Sequence, residues 1–87
     1  MVAVLIPSQL TAYTGGATRV EAAGATVAAA LDDLDRQFPG LRFRVVDEQD
    51  RVRKHMRIYL GMDIVCDLGR EIVPGAELMI FGALSGG

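Results

Sequence analysis

"VPGAELMIFGALSGG", residues 73–87, holds the strand on which the fold turns. Pro74-Gly75 is a turn pair, and the apolar run Leu78-Met79-Ile80-Phe81 after it predicts a strand. Side chains alternate across a strand, so Leu78 and Ile80 share one face and Met79 and Phe81 the other. A strand that is apolar on both faces belongs inside a sheet. Val2-Ala3-Val4-Leu5-Ile6, stopped by Pro7, is a second run of this kind. If these two strands lie side by side and parallel at the centre of one sheet, the rest of the chain must flank and cover them.

Working outward, "ATRVEA" (residues 17–22) alternates Thr18, Val20 and Ala22 with Arg19 and Glu21. It predicts a strand returning antiparallel to the first from a turn at Thr14-Gly15-Gly16. Thr26 is placed to cap a helix carrying Val27, Ala30, Leu31, Leu34 and Phe38 on one face, with Asp32, Asp33, Asp35 and Arg36 largely opposite, and Pro39-Gly40 ends it. "LRFRVV" (41–46) reads equally as a short strand or a turn of helix. "DEQDRVRK" (47–54) reads as a solvated loop, and "MRIYLGMDIVCD" (56–67) as two short strands around Gly61. The predicted fold class is α+β: a β-grasp, with a mixed sheet of four to five strands packed on one main helix.

Composition narrows the function classes. A chain of 87 residues is expected to form a single domain, 1–87, with 82–87 as a flexible Gly-Gly tail. Nine basic against eleven acidic residues leave a net charge of -2, which does not draw the chain to nucleic acid. No run approaches the roughly 20 apolar residues of a membrane span, and Met1 to Ile6 is too short and lacks the basic flank of a signal peptide. The single cysteine, Cys66, forms no internal disulfide, which fits a reducing compartment; the expected location is cytoplasmic.

A β-grasp pattern whose last strand runs into "FGALSGG" resembles the bacterial sulfur-carrier family, the ThiS and MoaD type of ubiquitin-like protein. "LIPSQLTAYTGGATRVEA" is similar to the family's first hairpin, "TVAAALDDLDRQFPGL" to its helix, "MRIYLGMDIV" to its middle strands and "VPGAELMIFGALSGG" to its turn, final strand and tail. In length and in "IPSQLTAYTGG" the chain looks closest to the CysO-type members, which serve cysteine synthesis. Two positions depart from the family: Gly61 stands where many members carry Asn, and Gly82 where a proline is usual.

The resemblance implies a carrier rather than an enzyme. Its terminal carboxylate, on Gly87, is adenylated by a ubiquitin-activating-type enzyme, converted to a thiocarboxylate and used by a sulfur-accepting synthase. The product would be molybdopterin, thiamin, cysteine or a thio-metabolite. ATP and Mg act at the partner, and the chain itself binds no cofactor. The residue chemistry agrees: a terminal carboxyl titrates near about 3.5 and is an unreactive anion at neutral pH, so it needs activation. Gly82 to Gly87 span about 20 Å when extended, and the missing Cβ atoms of Gly86 and Gly87, with the small Ser85, let the backbone thread a narrow channel. Two other classes remain open: a ubiquitin-like modifier conjugated to lysines through Gly87, and a plain β-grasp interaction domain.

The Met79 and Phe81 face is either packed by neighbouring strands and loops or forms, with Leu84, a docking patch for a partner. Cys66 reads as a small buried thiol in an apolar strand, and His55 as a solvated loop residue without ligand spacing. Arg51, Arg53, Lys54 and Arg57 form a basic cluster that either binds RNA or an acidic partner or, as expected from Asp47, Glu48 and Asp50 beside it, is neutralised in a solvated loop. Asp32, Asp33 and Asp35 are expected to face solvent.

Overall fold

The computed structural model describes residues 1–82. Its strands are β1 (Val2–Leu5), β2 (Arg19–Ala22), β3 (Met56–Leu60), β4 (Asp63–Ile64) and β5 (Glu77–Gly82), and its helices are α1 (Val27–Gln37) and α2 (Leu41–Val45). The five strands form one sheet in the order β2-β1-β5-β3-β4. β1 and β5 are parallel, with Val4 opposite Leu78, and the other pairings are antiparallel. This is the β-grasp arrangement expected from the two apolar runs.

One face of the sheet presents Val2, Val4, Ile58, Leu60, Leu78 and Ile80, all buried. Against them α1 packs Val27, Ala30, Leu31 and Leu34, which are also buried. Full burial of each Val or Leu side chain stabilises by about 1.5–3 kcal/mol. The helix begins as the sequence predicts: the Thr26 hydroxyl accepts a hydrogen bond from the Ala29 amide at 3.2 Å. Gly40, at φ 94°, turns the chain into α2.

Three features depart from the sequence reading, and one open alternative is decided. Residues Ser8–Thr14, where the sequence reading places no element before the turn at Thr14-Gly15-Gly16, form a 3-10 segment that buries Leu10. Its end is tied by Thr14, whose hydroxyl donates to the Ala17 carbonyl at 2.7 Å, before Gly15 reverses the chain at φ 65°. "LRFRVV" becomes helix: Leu41 and Val45, four apart, are both buried while Phe43 is 53% exposed, the burial pattern of a helical turn and not of a strand.

Asp33 does not face solvent. Its side chain is only 10% exposed, and Oδ2 accepts from the Ala23 amide at 2.9 Å, pinning the end of β2 to α1. Cys66 is exposed rather than buried. β4 is only two residues long, and of the apolar run after Asp63 only Val65 turns inward, so Cys66 falls on the opposite side.

Candidate functional site

Because Leu78 and Ile80 point at α1, strand geometry sends Met79 and Phe81 to the other face. That face is not covered by a second layer among the described residues: Met79 is half-buried and Phe81 is 47% exposed. The register then assembles a patch. Met79 stands opposite Leu5 on one side and Tyr59 on the other, making a three-strand apolar row. One step further along β5, Phe81 stands opposite Arg57, and its ring meets Tyr59 edge to face.

Of the two outcomes left open for Met79 and Phe81, the structure gives the exposed patch. Tyr59 and Leu5 belong to it but were missed from the sequence; their parity relative to the buried Ile58 and Val4 was the available signal. Across β1, Arg19 pairs with Glu77 at 2.6 Å, a solvated bridge that contributes little to stability but borders the patch with charge. A broad concavity of 630 Å³ lies by Ala3, Arg19, Glu77 and Met79, at the opposite end of β5 from Gly82.

Gly82, assigned to the tail from the sequence, is the last residue of β5 and stands opposite Met56. A Cβ at this position would overlap the Gln9 side chain, with Cδ at 2.7 Å. The overlap is with the far end of an exposed, flexible side chain, which can move aside. Leu84, Ser85, Gly86 and Gly87 lie outside the described residues.

The expected neutralisation of the basic cluster is partial. Asp50 is engaged by Arg42 at 2.6 Å, and Asp47 closes its own loop, its Oδ1 accepting from the Gln49 amide at 2.9 Å and the Arg51 amide at 3.0 Å. These bonds, that from Arg51 first, hold the Asp47 carboxyl below the usual value. Among the described residues, no carboxylate lies within 4.0 Å of Arg44, Arg53, Lys54 or Arg57. His55 is exposed, as expected.

A mixed five-stranded sheet with parallel β1 and β5, one main helix on one face and an open apolar patch on the other define a ubiquitin-like β-grasp protein. The model of the ThiS family matches residues 4–87, and the chain belongs to that family. The sulfur carrier protein CysO of Mycobacterium tuberculosis is 31% identical over 91 residues, 99% of this chain and 98% of that protein. Among solved structures, a chain of the Amycolatopsis orientalis BexX/CysO complex superposes with a TM-score of 0.91 at 34% identity over 100% of both chains. SAMP1 from Haloferax volcanii gives a TM-score of 0.76 at 30% identity, over 99% of this chain and 98% of that one. No helix among the described residues is long and apolar enough to cross a membrane.

Proposed function

We propose that the chain is a sulfur carrier that works through the carboxylate of Gly87. The observation that carries this reading is that β5 of a ThiS-family fold passes directly into "ALSGG", with an exposed aromatic, Phe81, one residue before its end. The chain presents its terminal acid, and the chemistry takes place on partners.

A carboxylate oxygen of Gly87 attacks the α-phosphorus of ATP in a ubiquitin-activating-type enzyme, and pyrophosphate leaves. The acyl adenylate replaces a resonance-stabilised anion with an electrophilic carbonyl carbon bearing a good leaving group. Hydrosulfide adds to that carbon and expels AMP, leaving a thiocarboxylate that a sulfur-accepting synthase consumes. ATP and Mg act in the partner's site; the carrier supplies neither acid nor base. Gly86 and Ser85 keep the backbone slender enough to enter that site.

The patch of Met79, Phe81 and Tyr59 is the surface on which the partner rests, with Leu84 as a further contact, since an aromatic anchor that becomes buried on binding, inside a polar rim, is the usual make-up of a binding hot spot. That the Amycolatopsis orientalis relative was solved as a BexX/CysO complex supports a partner-bound working state. A direct test is ATP–pyrophosphate exchange by the adenylating enzyme of the same genome. Exchange should depend on this chain and stop when one residue is added after Gly87. Undiminished exchange with the extended chain refutes the assignment of Gly87.

A further inference from the structure

The sheet register places the basic cluster beside the working end of β5. Gly82 pairs with Met56 and Phe81 with Arg57, so Lys54 and His55, immediately before β3, stand next to the point from which the chain runs on to residue 83. Two cavities open there. One, of 360 Å³, is lined by Val52, Met56 and Val65 together with Arg53, Lys54 and Arg57. The other, of 350 Å³, lies among Phe43, Arg44, Arg53 and His55.

Two of the cations, Arg53 and Arg57, are held in place with no carboxylate within 4.0 Å among the described residues. The Arg53 guanidinium lies 4.4 Å from the centroid of the Phe43 ring and donates through Nε to the Phe43 carbonyl at 2.6 Å. Arg57 donates to the carbonyls of Lys54 at 3.1 Å and Met56 at 2.9 Å. Carbonyls and a ring face orient a guanidinium but leave its full charge. Six of the nine basic residues fall between Arg42 and Arg57, and only Arg42 and Arg51 have carboxylates within 4.0 Å among the described residues. Asp47, Glu48 and Asp50 lie in the same stretch, so residues 42–57 carry a net charge of +3, a positive pole in a chain of net charge -2.

We propose that this pole is a docking surface for an acidic segment of the adenylating enzyme, one that places Asp and Glu side chains on Arg44, Lys54 and Arg57 while apolar residues enter the grooves between them. The inference rests on the carrier reading: an enzyme that engages the chain beyond Gly82 has to pass close to this edge. Opposite charge there speeds encounter and fixes which end of the carrier arrives first. The apolar groove walls and the overall negative charge favour a protein segment over a nucleic acid backbone.

The test is steady-state adenylation of Arg44→Glu/Lys54→Glu, whose side chains make no hydrogen bond or ion pair among the described residues, by the enzyme of the same genome. At low salt kcat/KM should fall at least about tenfold with kcat unchanged, and the deficit should shrink as salt is raised. Arg36→Glu, on the outer face of α1, should behave as wild type. Equal kcat/KM for the double variant and wild type overturns the proposal while leaving Gly87 activation intact; absence of adenylation in the wild type overturns the carrier reading instead. Binding of an oligouridylate at about 0.15 M salt, lost in the double variant, overturns the protein partner in favour of RNA.

Discussion

The Tyr59 and Phe81 rings meet edge to face, 5.7 Å apart between centroids and 77° between planes, on the side of the sheet away from α1. Neither ring is part of the core cluster. Such a pair is worth about 0.5–1.5 kcal/mol to the fold, while a half-exposed aromatic beside a working terminus is worth more to a partner. Phe81→Ala should therefore lower stability by about 1 kcal/mol but weaken kcat/KM for adenylation by about 30-fold, the equivalent of a 2 kcal/mol hot spot. Urea unfolding and adenylation kinetics on the same preparation separate the two effects.

Two glycines should respond differently to the same substitution. A Cβ on Gly24 would lie 2.5 Å from the Ala30 nitrogen and 2.8 Å from the Ala29 carbonyl carbon, backbone atoms of α1 that cannot step aside. Gly24→Ala should destabilise by about 1–3 kcal/mol, lowering Tm by about 4 °C or more. Gly82→Ala meets only the end of the exposed, flexible Gln9 side chain, so its unfolding free energy should stay within about 0.5 kcal/mol of wild type.

Thr26 caps α1 through the Ala29 amide, and substitution by Ala leaves that donor without its partner. The expected loss is about 1 kcal/mol, read as a shift in the urea midpoint at unchanged slope. Thr26→Ser should restore most of it.

Acid should unfold the protein partly through two aspartates. The Ala23 amide and then the Arg36 guanidinium lower the Asp33 pKa, as the Arg51 and Gln49 amides lower that of Asp47. A folded-state pKa below the unfolded one means stability that is complete above the unfolded value and is lost as pH falls through the folded one. Stability contributed by these groups should be flat near neutrality and decline below about pH 4. Asp33→Asn should flatten that decline, and a variant with the wild-type acid slope would contradict the assignment.

The elements legible in the sequence were those whose burial followed one period. Val27, Ala30, Leu31 and Leu34 spell out α1, Thr26 marks its start, and the double-sided runs at Val2–Leu5 and Leu78–Phe81 announce interior strands. The 3-10 segment was hidden because it has one apolar anchor, Leu10, and is otherwise held by Thr side chains bonding to backbone carbonyls. α2 was ambiguous because Leu41, Phe43 and Val45 alternate while Leu41 and Val45 also stand four apart; only packing against the core decides between them. Cys66 was misplaced for want of a long β4. At the site, parity in β5 put Met79 and Phe81 on one face but left open whether that face was covered, and Tyr59 and the basic pole come to that end of the sheet through the β3–β5 register, which is set by contacts distant in sequence.

Intact-mass spectrometry of the chain after incubation with ATP, Mg, its adenylating enzyme and a sulfide source tests the central claim most directly. The account predicts a product heavier by the difference between one sulfur and one oxygen atom, localised by fragmentation to Gly87 and absent when ATP is withheld. An unmodified chain in the presence of an enzyme shown to charge another ThiS-family carrier, or sulfur found on Cys66 in place of Gly87, would contradict it.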